Sequence, residues 1–540
     1  MLRVIDSDMP KFPSSILLAA AAVPLLAAMP SPAAAQTTRA ERTAYAETST
    51  HADVLAFLDS LRKAGAGIRT WTLGRTTEGR DLPIVLAARP MVSGAAEAHR
   101  SGKPIIYIQA NIHAGEVEGK EAAQMLLRDL TLGRLRPLLD SVILLVVPIY
   151  NADGNEKFAP GDVNRPGQNG PQLVGRRSNG QGLDLNRDYI KLEAPETRAS
   201  VELIGRWNPH LFIDLHTTNG SYHGYDLTWS PGLNPNGSAA NDYVRDTFLP
   251  EVRARMRKRH RQETFPYGNF RNQDPDSLRL GWETYDGKGR YGVNWHALRG
   301  RMAILSEAYS NDPFRERVSA TYNFVREILS LVVERQKTLL PLLSRDGRPV
   351  DSVAVRQRLA QPTEQKVIAE ITHSDNDGSH GFARRKRTGQ FKEIRMPVWD
   401  RFIAARKEAL PSVYLIPDRL QNVVELLRRH GVIVTSLERG WAAPSEAFAI
   451  DTIGRAARAF EGHRITLAEG AWRAGPDSAK GAWYAVSTTQ PLGVLAAYIL
   501  EPASEDGVVA WNMLDTEMMN GGTYPILRLR VPLADARGAR

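Results

Sequence analysis

The 540-residue chain contains no cysteine. This absence excludes disulfide bonds, thiolate metal sites and cysteine nucleophiles, so a bound metal must be held by His, Asp or Glu side chains. The whole sequence contains 12 histidines. The histidines are few enough for each one to be judged by its place in the predicted strands and helices.

Outside the N-terminus, no segment of the sequence is long and apolar enough to cross a membrane. Residues 16–29 are rich in Ala and Leu, but this run is too short to span a bilayer comfortably. The small residues of segment 30–35 follow it and offer a cleavage site. We therefore predict that residues 1–35 are a signal peptide and that the mature chain is exported to the periplasm, without stable insertion in the membrane.

Sequence signals for nucleic-acid binding are also missing, although the formal net charge is +9. Basic residues cluster at 252–261 and 384–387, but no aromatic residues alternate with them and no binding motif accompanies them. We interpret both runs as solvated faces and expect no nucleic-acid partner. The sequence leaves the oligomeric state open.

What the sequence does contain is an alternation of strand and helix patterns. Helical patterns at 118–130 and 194–207 lie between apolar runs that are typical of strands buried on both faces. The order predicts an α/β fold with a largely parallel central sheet covered by helices. The four strand patterns lie at 104–110, 142–150, 211–218 and 301–307.

Each predicted strand ends in polar residues, and the carboxyl ends of parallel strands meet at one edge of a sheet. His113 and Glu116 follow the first strand, His216 ends the third, and Glu307 ends the fourth. Imidazole nitrogens and carboxylate oxygens are zinc ligands, and a catalytic zinc has three protein ligands and one open position. We predict a zinc site held by His113, Glu116 and a third ligand, for which His216 is preferred over its rival His223.

The remaining polar residues suit catalysis and substrate binding. A carboxylate beside a metal acts as a general base, and Glu307 is the candidate. Asn186 and Arg187 suit a terminal carboxylate, because a guanidinium binds a carboxylate through two parallel hydrogen bonds. Asp184 is a candidate to orient a ligand histidine, and Arg177 to stabilise a developing oxyanion.

Taken together, these residues resemble the zinc carboxypeptidases of the carboxypeptidase A-like class. The resemblance covers about residues 45–343 and follows the family's order of motifs. The matching positions are Gly74-x-x-x-Glu78-Gly-Arg80, His113-x-x-Glu116, Asn151-x-Asp-Gly154, Gly175-Arg-Arg-Ser-Asn179, Asp184-Leu-Asn-Arg187, His216 and Glu307.

The resemblance implies a mixed sheet between helices and one zinc ion. His113, Glu116 and His216 would hold this ion. The family also has a mobile tyrosine ahead of its catalytic glutamate. The resemblance leaves Tyr285 and Tyr291 as alternatives for that residue, because spacing favours the first and the loop pattern favours the second.

The resemblance also implies roles around the metal. Asn186 and Arg187 would bind the C-terminal carboxylate of a substrate, and Glu307 would be the base and proton shuttle. Arg177 would polarise the scissile carbonyl, although Arg176 is adjacent to it in the sequence.

Residues 350–540 show no metal-type cluster of their own. A strand, helix and strand pattern at 413–437, followed by further apolar segments, predicts a C-terminal α/β accessory domain. Its role cannot be read from these patterns, and we place the boundary of the catalytic domain near residue 343.

The function that these observations predict is an exported zinc-dependent metallocarboxypeptidase, with a peptide or a cell-wall peptide as substrate. One alternative is a zinc amidase that acts on peptidoglycan peptides or N-acyl amino acids, because the same ligands serve any amide with a nearby carboxylate. A second alternative is a non-catalytic binding protein on the same scaffold. The metal ligands, the base Glu307 and the carboxylate-binding pair Asn186 and Arg187 (the clamp) are all present, and this combination disfavours the binding protein.

Overall fold

The computed structural model describes residues 36–344, 351–374, 385–532 and 534. The predicted signal peptide at residues 1–35 lies outside the described residues. Within those described segments, no helix has the length and apolar character needed to cross a membrane.

An eight-stranded mixed sheet forms the centre of the first part of the chain. Its four middle strands run parallel, and antiparallel strands are attached on both sides of them. The predicted α/β class and the mixed, mostly parallel sheet are thus confirmed. In spatial order the strands are Ile68–Arg75, Asp81–Ala87, Ile143–Val147, Ile105–Ala110, Leu211–Thr217, Met302–Ala308, Leu227–Pro231 and Thr264–Pro266.

The parallel strands are apolar along their length because both of their faces are covered. In strand Ile105–Ala110, Ile106 and Ile108 enter one hydrophobic core, whereas Ile105 and Tyr107 enter the core on the other side. Successive side chains of a strand point to opposite faces, so a strand between two helix layers needs a continuous apolar run.

Helices form the two covering layers. One layer contains His51–Lys63, Glu118–Thr131 and the 31-residue helix Phe314–Ser344. The other contains Pro195–Trp207 and Gly292–Leu298. The predicted helices at 118–130 and 194–207 are therefore observed to within one residue at either end.

Short elements complete this part of the chain. The short α-helices are Arg39–Arg42, Ala95–Arg100, Ala152–Asn155, Gly161–Asn164, Ala239–Tyr243 and Leu249–Arg255. Turns of 3-10 helix lie at Arg136–Asp140, Leu185–Arg187 and Leu278–Leu280, and π-helical segments lie at Val244–Phe248 and Met256–His260. The short strands are Ala159–Pro160, Leu173–Val174, Asn269–Phe270 and Trp282–Glu283.

The C-terminal part contains a six-stranded sheet whose neighbouring strands are all antiparallel. Helices Gln421–Arg429 and Gly493–Leu500 accompany it. The sheet contains, in spatial order, Thr435–Leu437, Trp483–Ser487, Val413–Pro417, Leu527–Leu529, Ser445–Arg455 and Thr466–Ala474, and a separate pair is formed by Trp441–Ala442 and Ser478–Ala479.

The two parts of the chain are extensively joined. Strand Arg385–Trp399 pairs antiparallel with Thr363–Ser374 and parallel with Trp282–Glu283, so one small sheet holds strands from both parts. Strands Ser352–Leu359 and Phe402–Ala409 form a further antiparallel pair. The boundary near residue 343 therefore remains a prediction about domains, because the sheets do not separate there.

Five arginines of the two basic runs form ion pairs with acidic side chains of the same chain. These carboxylates offset the positive charge of those five arginines. The pairs are Arg255 with Glu251 and Glu334, Arg257 with Glu263, Arg259 with Glu327, Arg385 with Asp274, and Arg387 with Glu370.

Candidate active site

The fold brings four predicted functional side chains to the carboxyl edge of the parallel strands. Asn111 follows the first of these strands with a φ of 65°, and this left-handed turn leads into His113 and Glu116. His216 and Glu307 lie directly opposite each other in neighbouring parallel strands. The four functional side chains are all buried.

Two imidazoles and one carboxylate converge at this edge. His113 Nδ1 lies 3.2 Å from His216 Nδ1. The carboxylate of Glu116 reaches both rings, with Oε1 3.0 Å from His113 Nδ1 and Oε2 2.9 Å from His216 Nδ1. Among the described residues, these three side chains form the one group with the geometry to hold a metal ion.

The far nitrogen of each imidazole faces a buried carboxylate. His113 Nε2 lies 3.0 Å from Asp184 Oδ1, and His216 Nε2 lies 3.0 Å from Asp214 Oδ2. A proton on each Nε2, on the side of its aspartate, would leave both Nδ1 atoms free to bind a metal ion. Two such nitrogens and a carboxylate form a donor set that one metal ion can hold together.

The donor set fits zinc. A tetrahedral zinc with ligands at about 2.0–2.1 Å would hold two imidazole nitrogens about 3.3 Å apart, and the Nδ1 atoms of His113 and His216 are 3.2 Å apart. Each of these nitrogens also has one oxygen of Glu116 within 3.0 Å. Burial opposes ionisation of Glu116, but His113 and Arg165 outweigh it and hold the pKa of this carboxyl well below its usual range. Three ligands leave a fourth position open, as in catalytic zinc sites.

Glu307 is a buried carboxyl group beside this centre. Burial, the largest effect, raises the pKa of Glu307 to about 8, and the negative charge of Glu116 acts in the same direction. Within the described part of the chain, Glu307 Oε2 has no hydrogen-bond partner. A dication beside such a group favours its ionised form, so the position suits an acid that exchanges protons.

The structure separates the adjacent arginines 176 and 177. Arg177 Nη2 lies 2.9 Å from Asp184 Oδ2, and Arg177 Nη1 lies 3.3 Å from Glu116 Oε1. Arg176 is exposed. Of the two, Arg177 is therefore the residue next to the metal-type group, which consists of His113, Glu116 and His216.

Asn186 and Arg187 lie together in the 3-10 turn that Asp184 caps. Asn186 Oδ1 accepts a hydrogen bond from the backbone N–H of Gly292 at 2.9 Å. The guanidinium of Arg187 lies over the ring of Tyr291, 4.3 Å from its centre. The turn and the Tyr291 loop thus form one polar surface with a cation on it.

Both candidate tyrosines lie at this surface. The rings of Tyr285 and Tyr291 are 5.4 Å apart, and Tyr267 packs against Tyr285 with ring centres 5.7 Å apart. Burial raises the pKa of Tyr285, and the nearby charge of Glu307 adds to the shift. A row of aromatic rings therefore extends from Arg187 toward Glu307, and these contacts do not favour either tyrosine over the other.

Two further motifs of the sequence form the support beneath the site. The buried carboxylate of Asp153 accepts hydrogen bonds from Thr76 Oγ1 at 2.6 Å, from the backbone N–H of Glu78 at 3.0 Å and from Arg80 at 2.7 Å. A Cβ on Gly154 would lie 2.6 Å from the carbonyl oxygens of residues 176 and 178. The motif at 151–154 therefore fixes the segment that carries Arg177.

Sequence reasoning missed two residues of the site. Asp214 precedes His216 by two positions in a strand, so both lie on the same face, and this spacing was a usable signal. Arg165 pairs with Glu116 at 3.1 Å and occupies space beside Gly115, where a Cβ would lie 2.6 Å from its Cγ. Arg165 belongs to an irregular loop, and no periodicity marks it.

The rival ligand His223 does not join the metal-type group. It is buried among Tyr225, Tyr309 and Trp282. Burial lowers the pKa of His223 to about 3. The fold thus brings His216, rather than His223, to His113 and Glu116.

A covered α/β sheet with two histidines and a glutamate at its strand ends, next to a buried second glutamate, defines the class of mononuclear metal-dependent enzymes. Comparison with known proteins agrees. The family model Zinc carboxypeptidase matches residues 54–302, a span that includes the metal-type group and ends before Glu307.

Individual relatives extend the match. Carboxypeptidase 2 of Trichophyton rubrum is 23% identical over 475 residues, covering 84% of this chain and 82% of the relative. Human carboxypeptidase D is 30% identical over 192 residues, covering 29% of this chain and 14% of that protein. The solved metallo-carboxypeptidase from Burkholderia cenocepacia has a TM-score of 0.40 and 16% identity, covering 54% of this chain and 70% of that one.

The chain is similar to the zinc carboxypeptidase family over residues 54–302. It is a peptide hydrolase with zinc as its cofactor. The 84% coverage by the Trichophyton rubrum relative exceeds what residues 1–344 supply, so the similarity extends into the C-terminal part.

Proposed function

We propose that this protein is an exported metallocarboxypeptidase that hydrolyses the C-terminal peptide bond of its substrates. The observation that carries the proposal is the convergence of His113 Nδ1, His216 Nδ1 and the Glu116 carboxylate within about 3 Å of one another. Two imidazole nitrogens and a carboxylate are ligand types that zinc takes in catalytic sites. Glu307 and Arg187 supply the base and the clamp that a carboxypeptidase needs near such a cation.

Asn186 and Arg187 receive the free carboxylate of the substrate. The Arg187 guanidinium lies over the ring of Tyr291, and a guanidinium is a planar fork that suits two parallel hydrogen bonds to a carboxylate. This binding places the last peptide bond, rather than an internal one, at the catalytic groups. Tyr285 and Tyr291 provide the aromatic wall of the same cleft.

The chemical step uses Glu307 and Arg177. Bound zinc supplies Lewis acidity, which polarises a carbonyl group and makes water easier to deprotonate. Glu307 takes a proton from the attacking water and delivers it to the nitrogen of the leaving amine. Arg177 donates hydrogen bonds to the carbonyl oxygen as negative charge develops there.

Asp184 and Asp214 hold the histidines in the tautomer that leaves Nδ1 available. Burial opposes ionisation of Asp184, but His113, Arg177 and Arg187 outweigh it and keep its pKa well below the usual range. The carboxylate therefore stays charged over the physiological pH range and remains a hydrogen-bond acceptor for His113.

Export to the periplasm is part of the proposal and rests on the sequence of residues 1–35. Expression of the full chain in a bacterial host, followed by fractionation and N-terminal sequencing, tests it. We expect the mature protein in the periplasmic fraction with Gln36 at or near its N-terminus. Uncleaved protein in the membrane fraction would contradict the proposed signal peptide.

The activity is tested with a mixed peptide library, and the released fragments are identified by mass. We expect loss of single C-terminal residues, loss of this activity with a chelator, and recovery on addition of zinc. Peptides that end in a C-terminal amide should resist, because Arg187 then lacks its anionic partner. Release only from muropeptides or N-acyl amino acids would favour the amidase, and zinc-loaded protein without any release would favour a binding protein.

A further inference from the structure

One hairpin of the C-terminal part of the chain reaches the Asp184–Arg187 turn of the candidate site. This hairpin joins strands Ser445–Arg455 and Thr466–Ala474. At its turn, a carboxylate oxygen of Glu461 accepts a hydrogen bond from the backbone N–H of Asp184 at 3.0 Å. Glu461 itself has a φ of 50°, in the left-handed region that residues other than glycine seldom adopt.

Asp184 is the residue that links the metal-type group to the clamp. Its Oδ1 faces His113 Nε2 at 3.0 Å and accepts a hydrogen bond from the backbone N–H of Asn186 at 2.9 Å. Its Oδ2 pairs with Arg177. A side chain with three partners orients them only while its own backbone is fixed, and Glu461 supplies that contact from the second part of the chain.

A different set of contacts docks the two parts. The carboxylate of Asp506 accepts hydrogen bonds from Arg290 Nε at 2.8 Å and from its backbone N–H at 2.7 Å. Both side chains are buried, and the Arg290 guanidinium lies over the ring of Trp511, 4.6 Å from its centre. The docking of the two parts thus has contacts besides the Glu461 hydrogen bond, and the neighbouring Phe460 contributes one of them, with its ring centre 5.1 Å from the Arg290 guanidinium.

We infer that Glu461 is a positioning residue for substrate binding, which holds the Asp184–Arg187 turn in the conformation that receives the substrate's carboxylate. This inference rests on the proposed function and adds that the C-terminal part is a component of the catalytic cleft. A separate binding module would have no need to contact the residue that orients His113 and Arg177.

The test uses the full-length, zinc-loaded protein with Glu461→Ala, Glu461→Met and Glu461→Gln. Ala and Met remove the acceptor, whereas the amide oxygen of Gln still accepts the hydrogen bond. We expect the Ala and Met variants to raise KM for a C-terminal peptide substrate about five- to tenfold, with kcat changed less than about twofold. Gln should restore KM to within about twofold of the wild type. Glu438→Ala, at an exposed glutamate of the same part of the chain, is the matched control.

Amide hydrogen exchange over residues 183–188 provides a readout that does not need activity. We expect faster exchange there in Ala and Met than in Gln, Glu438→Ala or the wild type. Unchanged KM and exchange in folded Ala and Met variants would overturn the inference. Failure of both variants to fold would also overturn it, because Glu461 would then serve the fold.

The proposed function and the positioning role of Glu461 can fail separately. If the wild type releases no C-terminal residue, the proposed function is wrong, while the exchange data still show whether Glu461 fixes the turn. If the wild type is an active carboxypeptidase and the Ala and Met variants match it, only the positioning role is wrong.

Discussion

The metal half of the candidate site contains His113, Glu116 and His216, and the clamp half contains Asn186, Arg187 and the Tyr291 loop. These two halves are built in different ways. His113, Glu116 and His216 stand at the ends of central parallel strands, and Asp184 and Asp214 hold the two rings from behind. The clamp half consists of one 3-10 turn and a loop, and contacts from the C-terminal part of the chain hold both of these segments.

This difference separates two measurable quantities. Changes in the metal half should alter zinc affinity and kcat, because they act on the ligands and the base. Changes in the clamp half should alter KM, because they act on a group that binds the substrate away from the scissile bond. The following substitutions test this separation, beginning with the largest expected effect.

The largest effect is expected from His216→Ala. Removing one of three protein ligands leaves a site that cannot close around zinc, so we expect loss of stoichiometric zinc and loss of activity to background. His223→Ala is the matched control, since His223 is equally buried and follows His216 by seven residues but faces away from the site.

Two measurements decide this comparison. Elemental mass spectrometry gives the zinc content of each variant, and a peptide substrate gives its rate of release of the C-terminal residue. An active, zinc-loaded His216→Ala variant would remove His216 from the ligand set. Loss of zinc in His223→Ala, with its fold intact, would move the site toward His223.

Glu307→Gln is expected to have the next largest effect. The amide keeps the shape of the side chain but can neither accept the proton of water nor pass it on, so kcat should fall by about 10²- to 10⁴-fold. Zinc content and KM should stay close to the wild-type values, because Glu307 is not one of the three convergent ligands. A Glu307→Gln variant with full turnover would show that another group is the base.

The part of this architecture that could be read from the sequence is the part that hydrophobic patterns determine. The parallel strands can be recognised as continuous apolar runs because they are buried on both faces. A polar residue at the end of such a run then lies at the edge of the sheet. His113, Glu116, His216 and Glu307 were found for this reason.

The contacts between distant segments left no comparable pattern. Arg165 lies in an irregular loop, and Glu461 lies in a turn 277 residues from its partner Asp184. Such positions depend on how whole elements dock. The small sheet that pairs Trp282–Glu283 with Arg385–Trp399 was missed for the same reason, because two-residue strands carry no periodicity.

Asp214→Asn tests the support behind the metal half. An asparagine keeps the size of the side chain but lacks the negative charge that lies 3.0 Å from His216 Nε2 and makes the ring a better ligand. Loss of such a partner lowers zinc affinity by about 10- to 100-fold, and we expect a value near the lower limit. Competition with a chromophoric chelator measures the affinity, and an unchanged zinc affinity would show that Asp214 is only a structural residue.

Arg187→Lys gives the smallest expected effect and is the sharpest test of the separation. Lysine keeps the charge but replaces a planar fork with a single ammonium group, and it loses the stacking of Arg187 on Tyr291. We expect KM for peptides with a free C-terminal carboxylate to rise about tenfold, while zinc affinity stays unchanged. Arg206→Lys, on the exposed face of helix Pro195–Trp207, controls for the substitution itself. If zinc affinity fell together with KM, the link through Asp184 would couple the two halves, and the clamp could not be regarded as an independent element of the site.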